Sequence, residues 1–145
     1  MTSTAQSAAE AAARALFAKD RASQALGMTL TTVQPGMASV TMQVRPDMTN
    51  GHDICHGGII FALADSAFAF ACNSHGPATV AAAVAIDFLA PAKVGDYLTA
   101  VATERWLGGR AGLYDLSVTS ADGKLIAHAR GRSHRLRAAQ SSTST

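Results

Sequence analysis

The stretch Gly58-Ile-Ile-Phe-Ala-Leu-Ala-Asp-Ser-Ala-Phe-Ala-Phe-Ala-Cys-Asn-Ser-His75 decides the fold. It is too long for a strand and apolar on nearly every side, so it reads as a buried helix, ended by Gly76-Pro77. Four strand candidates follow, over 79–89, 96–107, 111–120 and 124–136, punctuated by Pro91, Gly95, Gly108-Gly109 and Asp122-Gly123. Asp-Gly is a strong hairpin signal, and turns this short make neighbouring strands antiparallel. Ahead of the helix lie two more strand candidates, 28–33 and 38–44, split by Pro35-Gly36, and a loop over 45–56. Residues 5–25 read as one amphipathic helix, with Ala12, Leu16, Ala22 and Leu26 at loose helical spacing and Gly27 as its stop. The order helix, two strands, buried helix, four strands is an α+β arrangement in which an antiparallel sheet wraps a central helix.

Composition narrows the class. A length of 145 residues suggests one domain over 1–145, with flexible ends at 1–8 and 138–145. Hydrophobic residues make up 48% and charged residues 15%, which suits a domain that hides further surface against copies of itself. The two cysteines, Cys55 and Cys72, are too few for a disulfide scaffold. The start shows no secretory pattern, and the long apolar run is interrupted by Asp65 and too short for a membrane span. A cytoplasmic location is therefore expected. A net charge of +2 is too small for a broad nucleic-acid footprint. From Lys124 onward, however, five basic residues and no acid mark a local anion-binding edge.

Asp65 is the only charged residue between Asp53 and Asp87 if histidine is neutral. A lone carboxylate among Phe61, Leu63, Phe68 and Phe70 must either raise its pKa or find a partner. Read functionally, it is a general base or nucleophile. Read structurally, it pairs with a distant arginine such as Arg105 or Arg110. The segment Asn50-Gly-His-Asp-Ile-Cys-His-Gly-Gly58 leads straight into the helix, whose first turn offers unpaired N–H groups and the positive end of the dipole. Such a turn can hold a developing oxyanion, and it can equally be an ordinary Gly-rich entry. Gly57 and Asp65 stand eight residues apart, about 12 Å along a straight helix. One carbonyl cannot reach both, so if both act they come from different chains. A two-fold dimer with antiparallel central helices satisfies that condition.

Taken together, Asn50-Gly51-His52, Cys55-His56-Gly57-Gly58, Ala64-Asp65-Ser66-Ala67-Phe68-Ala69, Ala71-Cys72-Asn73-Ser74 and Gly131-Arg132-Ser133-His134-Arg135 closely resemble the PaaI family, hotdog-fold thioesterases of the phenylacetate-degradation type. The resemblance spans roughly residues 10–137. It implies hydrolysis of acyl-coenzyme A thioesters, with phenylacetyl-CoA or a ring-hydroxylated form as substrate. It implies Asp65 as nucleophile or as base for water, and Gly57 N–H as the group that polarises the carbonyl. Asn50 would position substrate or water, and His56 would support the loop. It also implies tetramers built from two dimers. Some relatives place a hydroxyl near the attacking water on the strand after the helix, where this chain has Ala81, Ala82, Ala83 and Ala85. With a coenzyme A ligand in view, the candidate substrate-binding residues are Gly58, Lys93, Arg132, Ser133, His134 and Arg135. Arg130 and Arg137 are further phosphate candidates, against the alternative of an edge strand blunted by charge.

No cofactor is expected beyond the coenzyme A carried by the substrate. Cys55, His56, Cys72 and His75 match no compact zinc spacing, so no metal is expected. His52, His128 and His134 read as surface or loop residues. Two other functions stay open on the residues alone. One is a module that binds acyl-CoA without cutting it, although such a module would not need the acid at 65. The other is a hotdog dehydratase with His56 as base.

Overall fold

The computed structural model describes residues 3–137. Helix α1 runs Thr4–Lys19 and is capped by the Ser3 side chain, which accepts from Gln6 N–H. Residues 4–8, expected to be loose, thus belong to a helix, while residues 1–2 and 138–145 lie outside the described part. The expected single helix over 5–25 is broken at Asp20, whose carboxylate caps a second helix, α2 (Arg21–Ala25), by accepting from Ser23 N–H at 3.0 Å. A cap residue inside an amphipathic pattern ends one helix and starts another. Gly27 then turns the chain with a positive φ of 72°.

Strands β1 (Thr29–Gln34) and β2 (Met37–Gln43) form the first hairpin, and a short 3-10 turn covers Pro46–Met48. Helix α3 runs Gly57–Cys72. It is followed by β3 (Thr79–Phe88), β4 (Tyr97–Gly108), β5 (Ala111–Ser120) and β6 (Leu125–Arg135). The strands make one sheet in the order β1-β2-β4-β5-β6-β3, with every pair antiparallel. The basic strand β6 is therefore interior, not the charged edge considered above; the edges are β1 and β3. This is the hotdog arrangement. Among the described residues no helix is long and apolar enough to cross a membrane.

Helix α3 fills the core with Leu63, Phe68 and Phe70, fully buried with Val40, Met42, Leu98, Leu116 and Val118, and Phe70 meets Phe17 of α1 edge-on at 5.9 Å. Phe68 lies 5.1 Å from the Tyr114 ring, centroid to centroid. Its own ring fills the space over Gly131, where an added Cβ would stand 2.2 Å from the aromatic edge. Asn73 fastens the other end of the helix. Its amide nitrogen donates to Ala69 and Thr79 carbonyls, both at 2.8 Å, and its carbonyl accepts from Thr79 N–H at 2.9 Å.

Because Phe68 is held against Tyr114 and cannot swing away, Gly131→Ala overpacks the core. A loss of about 1–3 kcal/mol is expected, read as a lower urea midpoint at unchanged slope.

Candidate active site

His56 is the N-cap of α3, and its Nδ1 accepts from Gly58 N–H at 2.8 Å. The Ile59 and Ile60 amides both donate to the His56 carbonyl, at 2.9 and 3.2 Å. Of the four donors at the helix start, only Gly57 N–H has no acceptor among the described residues. The histidine thus settles which glycine offers an amide. Gly58, expected to bind substrate, has its N–H engaged inside the protein. His56 holds the helix start, and Nδ1, as acceptor, is not the base that a dehydratase would require.

Asn50 folds the preceding loop. Its side-chain oxygen accepts from His52 N–H at 2.9 Å and Ile54 N–H at 3.4 Å, and its backbone N–H donates to the Ile54 carbonyl at 2.9 Å. Its amide nitrogen has no acceptor among the described residues. Asn50 and Gly57 meet in one cavity of about 480 Å³, walled by Ile54, Ile60, Phe88 and Leu89. The Phe88 ring, half-exposed, lies over Gly57, where an added Cβ would stand 3.3 Å from it. The loop after β3 closes this side, where the Ala92 carbonyl accepts from Cys55 N–H at 2.7 Å. The product is a free amide at a helix N-terminus, facing an apolar slot.

Asp65 does not line that cavity. It is half-buried on α3 and makes no ion pair or hydrogen bond among the described residues. Arg105 is bound instead to Asp115 at 2.6 Å, and Arg110 forms no ion pair among the described residues, so neither of the expected arginine partners is paired with the acid. Burial raises the pKa of the Asp65 carboxyl, and the nearby Asp20 raises it further. Burial likewise pushes the Cys72 thiol up to about 12, with Asp65 adding to the effect. Cys55 and Cys72 are buried free thiols, and among the described residues no cluster of His, Cys, Asp or Glu gathers to hold a metal ion.

The other candidates divide. β6 alternates, so Ser133 is buried, while Arg132 and His134 are exposed on the opposite face. Ser133 lines a cleft of about 30 Å³ with Cys72, Tyr114 and Arg135, room for little more than a water, and does not reach the outer surface with its neighbours. Arg132 sits with Arg130 and Leu113 in an outer-face groove, where Arg130 lies 3.7 Å from Asp115. Lys93 is exposed on the loop after β3, beside Tyr97 and Lys124, and that groove shares Pro91 with the Gly57 cavity. Phe88, Leu89, Ile54 and Ile60 are walls that sequence reasoning missed. The one available signal was the run Ala81, Ala82, Ala83 and Ala85 within β3, too small to fill a core, ending on the large Phe88.

A sequence profile of the thioesterase superfamily matches residues 52–127. The chain belongs to the thioesterase superfamily. It is 48% identical over 124 residues to the acyl-coenzyme A thioesterase PaaI of Escherichia coli K12, covering 86% of this chain and 89% of that one. The solved structure of the E. coli PaaI protein from the phenylacetic acid degradation operon superposes with a TM-score of 0.91 at 45% identity, over 92% of this chain and 97% of that one. A structure from Thermus thermophilus superposes with a TM-score of 0.78 at 41% identity, over 81% and 99%. The chain is a hotdog-fold thioesterase of the PaaI acyl-CoA thioesterase type.

The raised pKa of Asp65 fixes a sign. An acid whose pKa is higher folded than unfolded binds more protons in the folded state, so stability falls as pH rises from the ordinary value of 3.8 through the folded value. Asp65→Asn should raise the thermal midpoint at neutral pH, and the gain should fade as pH approaches the ordinary aspartate value. A midpoint lowered at neutral pH would show that the carboxylate is structurally required.

Proposed function

We propose that the chain hydrolyses acyl-CoA thioesters to the free acid and coenzyme A in a site shared by two copies. The observation that carries this is the free Gly57 N–H in an apolar cavity, with an unpaired, half-buried carboxylate eight residues further along the same helix. The β3 edge supports the pairing of copies. It exposes Val80 and Phe88, with small Ala81, Ala82, Ala83 and Ala85 between them. An apolar edge without a partner is an association surface. Antiparallel β3·β3 pairing continues the sheet, lays two α3 helices side by side in opposite directions, and brings Asp65 of one copy toward Gly57 of the other. Two such dimers would form the tetramer implied by the resemblance.

In the proposed reaction Asp65 takes a proton from water as the water oxygen bonds to the thioester carbon. The carbonyl electrons move onto oxygen, where Gly57 N–H holds the negative charge. Collapse restores the C=O bond, breaks the C–S bond and releases the thiolate, which takes up the proton; no cofactor is required. Asn50, with its amide nitrogen free at the cavity wall, orients the carbonyl or the water, and Ala81, Ala82, Ala83 and Ala85 of β3 offer no hydroxyl. Phe88, Leu89, Ile54 and Ile60 suit an aromatic acyl group. With the operon of the E. coli relative, they favour phenylacetyl-CoA or its ring-hydroxylated form. Lys93, with Arg132, His134, Arg135 and Arg137, is assigned to the phosphates of coenzyme A. Two buried free thiols fit a reducing cytoplasm.

The shared site has a direct test. Proline is tolerated at the first helical position, and His56, at φ −59° and ψ 134°, already holds a backbone compatible with a following proline. Gly57→Pro therefore deletes the free N–H at little cost to the helix, and a drop of about 10²–10³ in kcat is expected. Asp65→Asn should lose about 10²–10⁴. Unfolded and refolded together, the two inactive variants should recover about a quarter of wild-type thiol release, since half the dimers are mixed and each has one intact site. No recovery from folded mixed dimers would place both groups in one chain.

Single turnover in ¹⁸O-water separates the two roles of the acid. Label in the product acid supports the base, whereas label left in Asp65 establishes the nucleophile.

A further inference from the structure

We propose that Asp20 is a positioning residue for the chemistry at Asp65: the hydrogen-bonded chain Asp20–Ser23–Ser66 fixes a second negative charge against the helical turn that bears the acid. This rests on the reading of Asp65 as the reacting carboxylate.

The geometry is specific. Asp20 Oδ1 accepts from Ser23 N–H at 3.0 Å, and Asp20 Oδ2 accepts from the Ser23 hydroxyl at 2.6 Å. Ser23 Oγ lies 2.8 Å from Ser66 Oγ, and Ser23 is buried at 2% exposure. A hydroxyl has one proton. Ser23 spends its proton on the carboxylate, so Ser66 must donate to Ser23. The Ser66 proton is thereby drawn toward α2, away from the neighbouring Asp65. A donor to the ionised acid would have lowered its basicity, and the Ser66 proton is committed to Ser23 instead.

The rest of the surroundings leave Asp20 as the charge that Asp65 feels. Cys72, on α3 itself, is a buried thiol. β1 and β2 carry no charged residue. On β4, Glu104 accepts from Tyr114 at 3.1 Å and bonds His75 Nε2 at 2.7 Å, while Arg105 pairs with Asp115 of β5. Asp87 of β3, Arg130, Arg132, His134 and Arg135 of β6, Arg14 and Lys19 of α1 and Arg21 of α2 are exposed; Glu10 of α1 is bonded to Gln6 and His128 of β6 is half-buried without a bond to the acid. Asp20 itself forms no ion pair among the described residues, although Lys19 and Arg21 flank it in sequence. A fixed anion makes the acid hold a proton more tightly, and a more basic carboxylate takes the proton of water more readily.

Asp20→Asn separates charge from structure, because asparagine caps a helix as well as aspartate and can still accept from Ser23. With the anion gone, Asp65 stays ionised to lower pH. The acid limb of the kcat/KM profile should therefore move to lower pH and the plateau kcat should fall, with the thermal midpoint close to wild type. A folded Asp20→Asn enzyme with limb and plateau both unmoved overturns the assignment while leaving Asp65 in place. Asp65→Asn is assayed alongside: if it retains turnover, the role of Asp65 falls and this inference with it. Should Asp20→Asn not fold, Asp20→Ser, another capping residue without charge, is held to the same two outcomes.

Discussion

A rigid helix fixes the separation of everything mounted on it. α3 carries the free Gly57 amide at its first turn and the Asp65 carboxylate two turns later, and no rotamer closes a gap of about 12 Å along the axis. The same helix is the centre of the core, held by Phe68 over Gly131, by buried Leu63 and by Phe70 against Phe17 of α1, so it cannot bend to bring the two groups together. The lining of the cavity beside Gly57 includes no acid, and the acid has no ion pair among the described residues. The apolar edge of the sheet has a separate origin.

That edge is a product of topology. β3 is third in sequence and last in the sheet, bonded on one side only, to β6. The chain must leave it and cross to β4, and the crossing segment, Leu89 to Asp96, runs past the start of α3. Phe88 and Leu89 at the end of the strand and Pro91 beyond it become walls of the Gly57 cavity. One connection thus frees an edge and shapes a pocket.

The architecture was largely legible. The Pro35-Gly36 turn and the Asp122-Gly123 hairpin mark boundaries by chemistry that acts within a few residues, and all six strands lie within a residue or so of where the pattern puts them, whereas α3 ends at Cys72 on its Asn73 cap, short of the expected Gly76-Pro77 stop. The break at Asp20 was hidden because an amphipathic stripe continues across it, and only the bond from Ser23 reveals a cap. The difference between Gly57 and Gly58 came only with the family resemblance: by residue chemistry the two are identical until the His56 ring takes the amide of one. The split of Arg132 from Ser133 follows from strand alternation, but which face is inner depends on register with Gly112 and Leu113. The exposure of β3 was invisible, because alanine and valine read the same at a bare edge as in a core.

Asn73 clamps the last turn of α3 to the first residue of β3 through three bonds, so the middle helix and the outermost strand move as one body. Strain or slippage imposed at that strand has no slack hinge in which to dissipate. It is passed to the last turn of the helix that carries the carboxylate. A substitution far out on the sheet rim would then alter alignment near the molecular centre while touching none of the reacting groups.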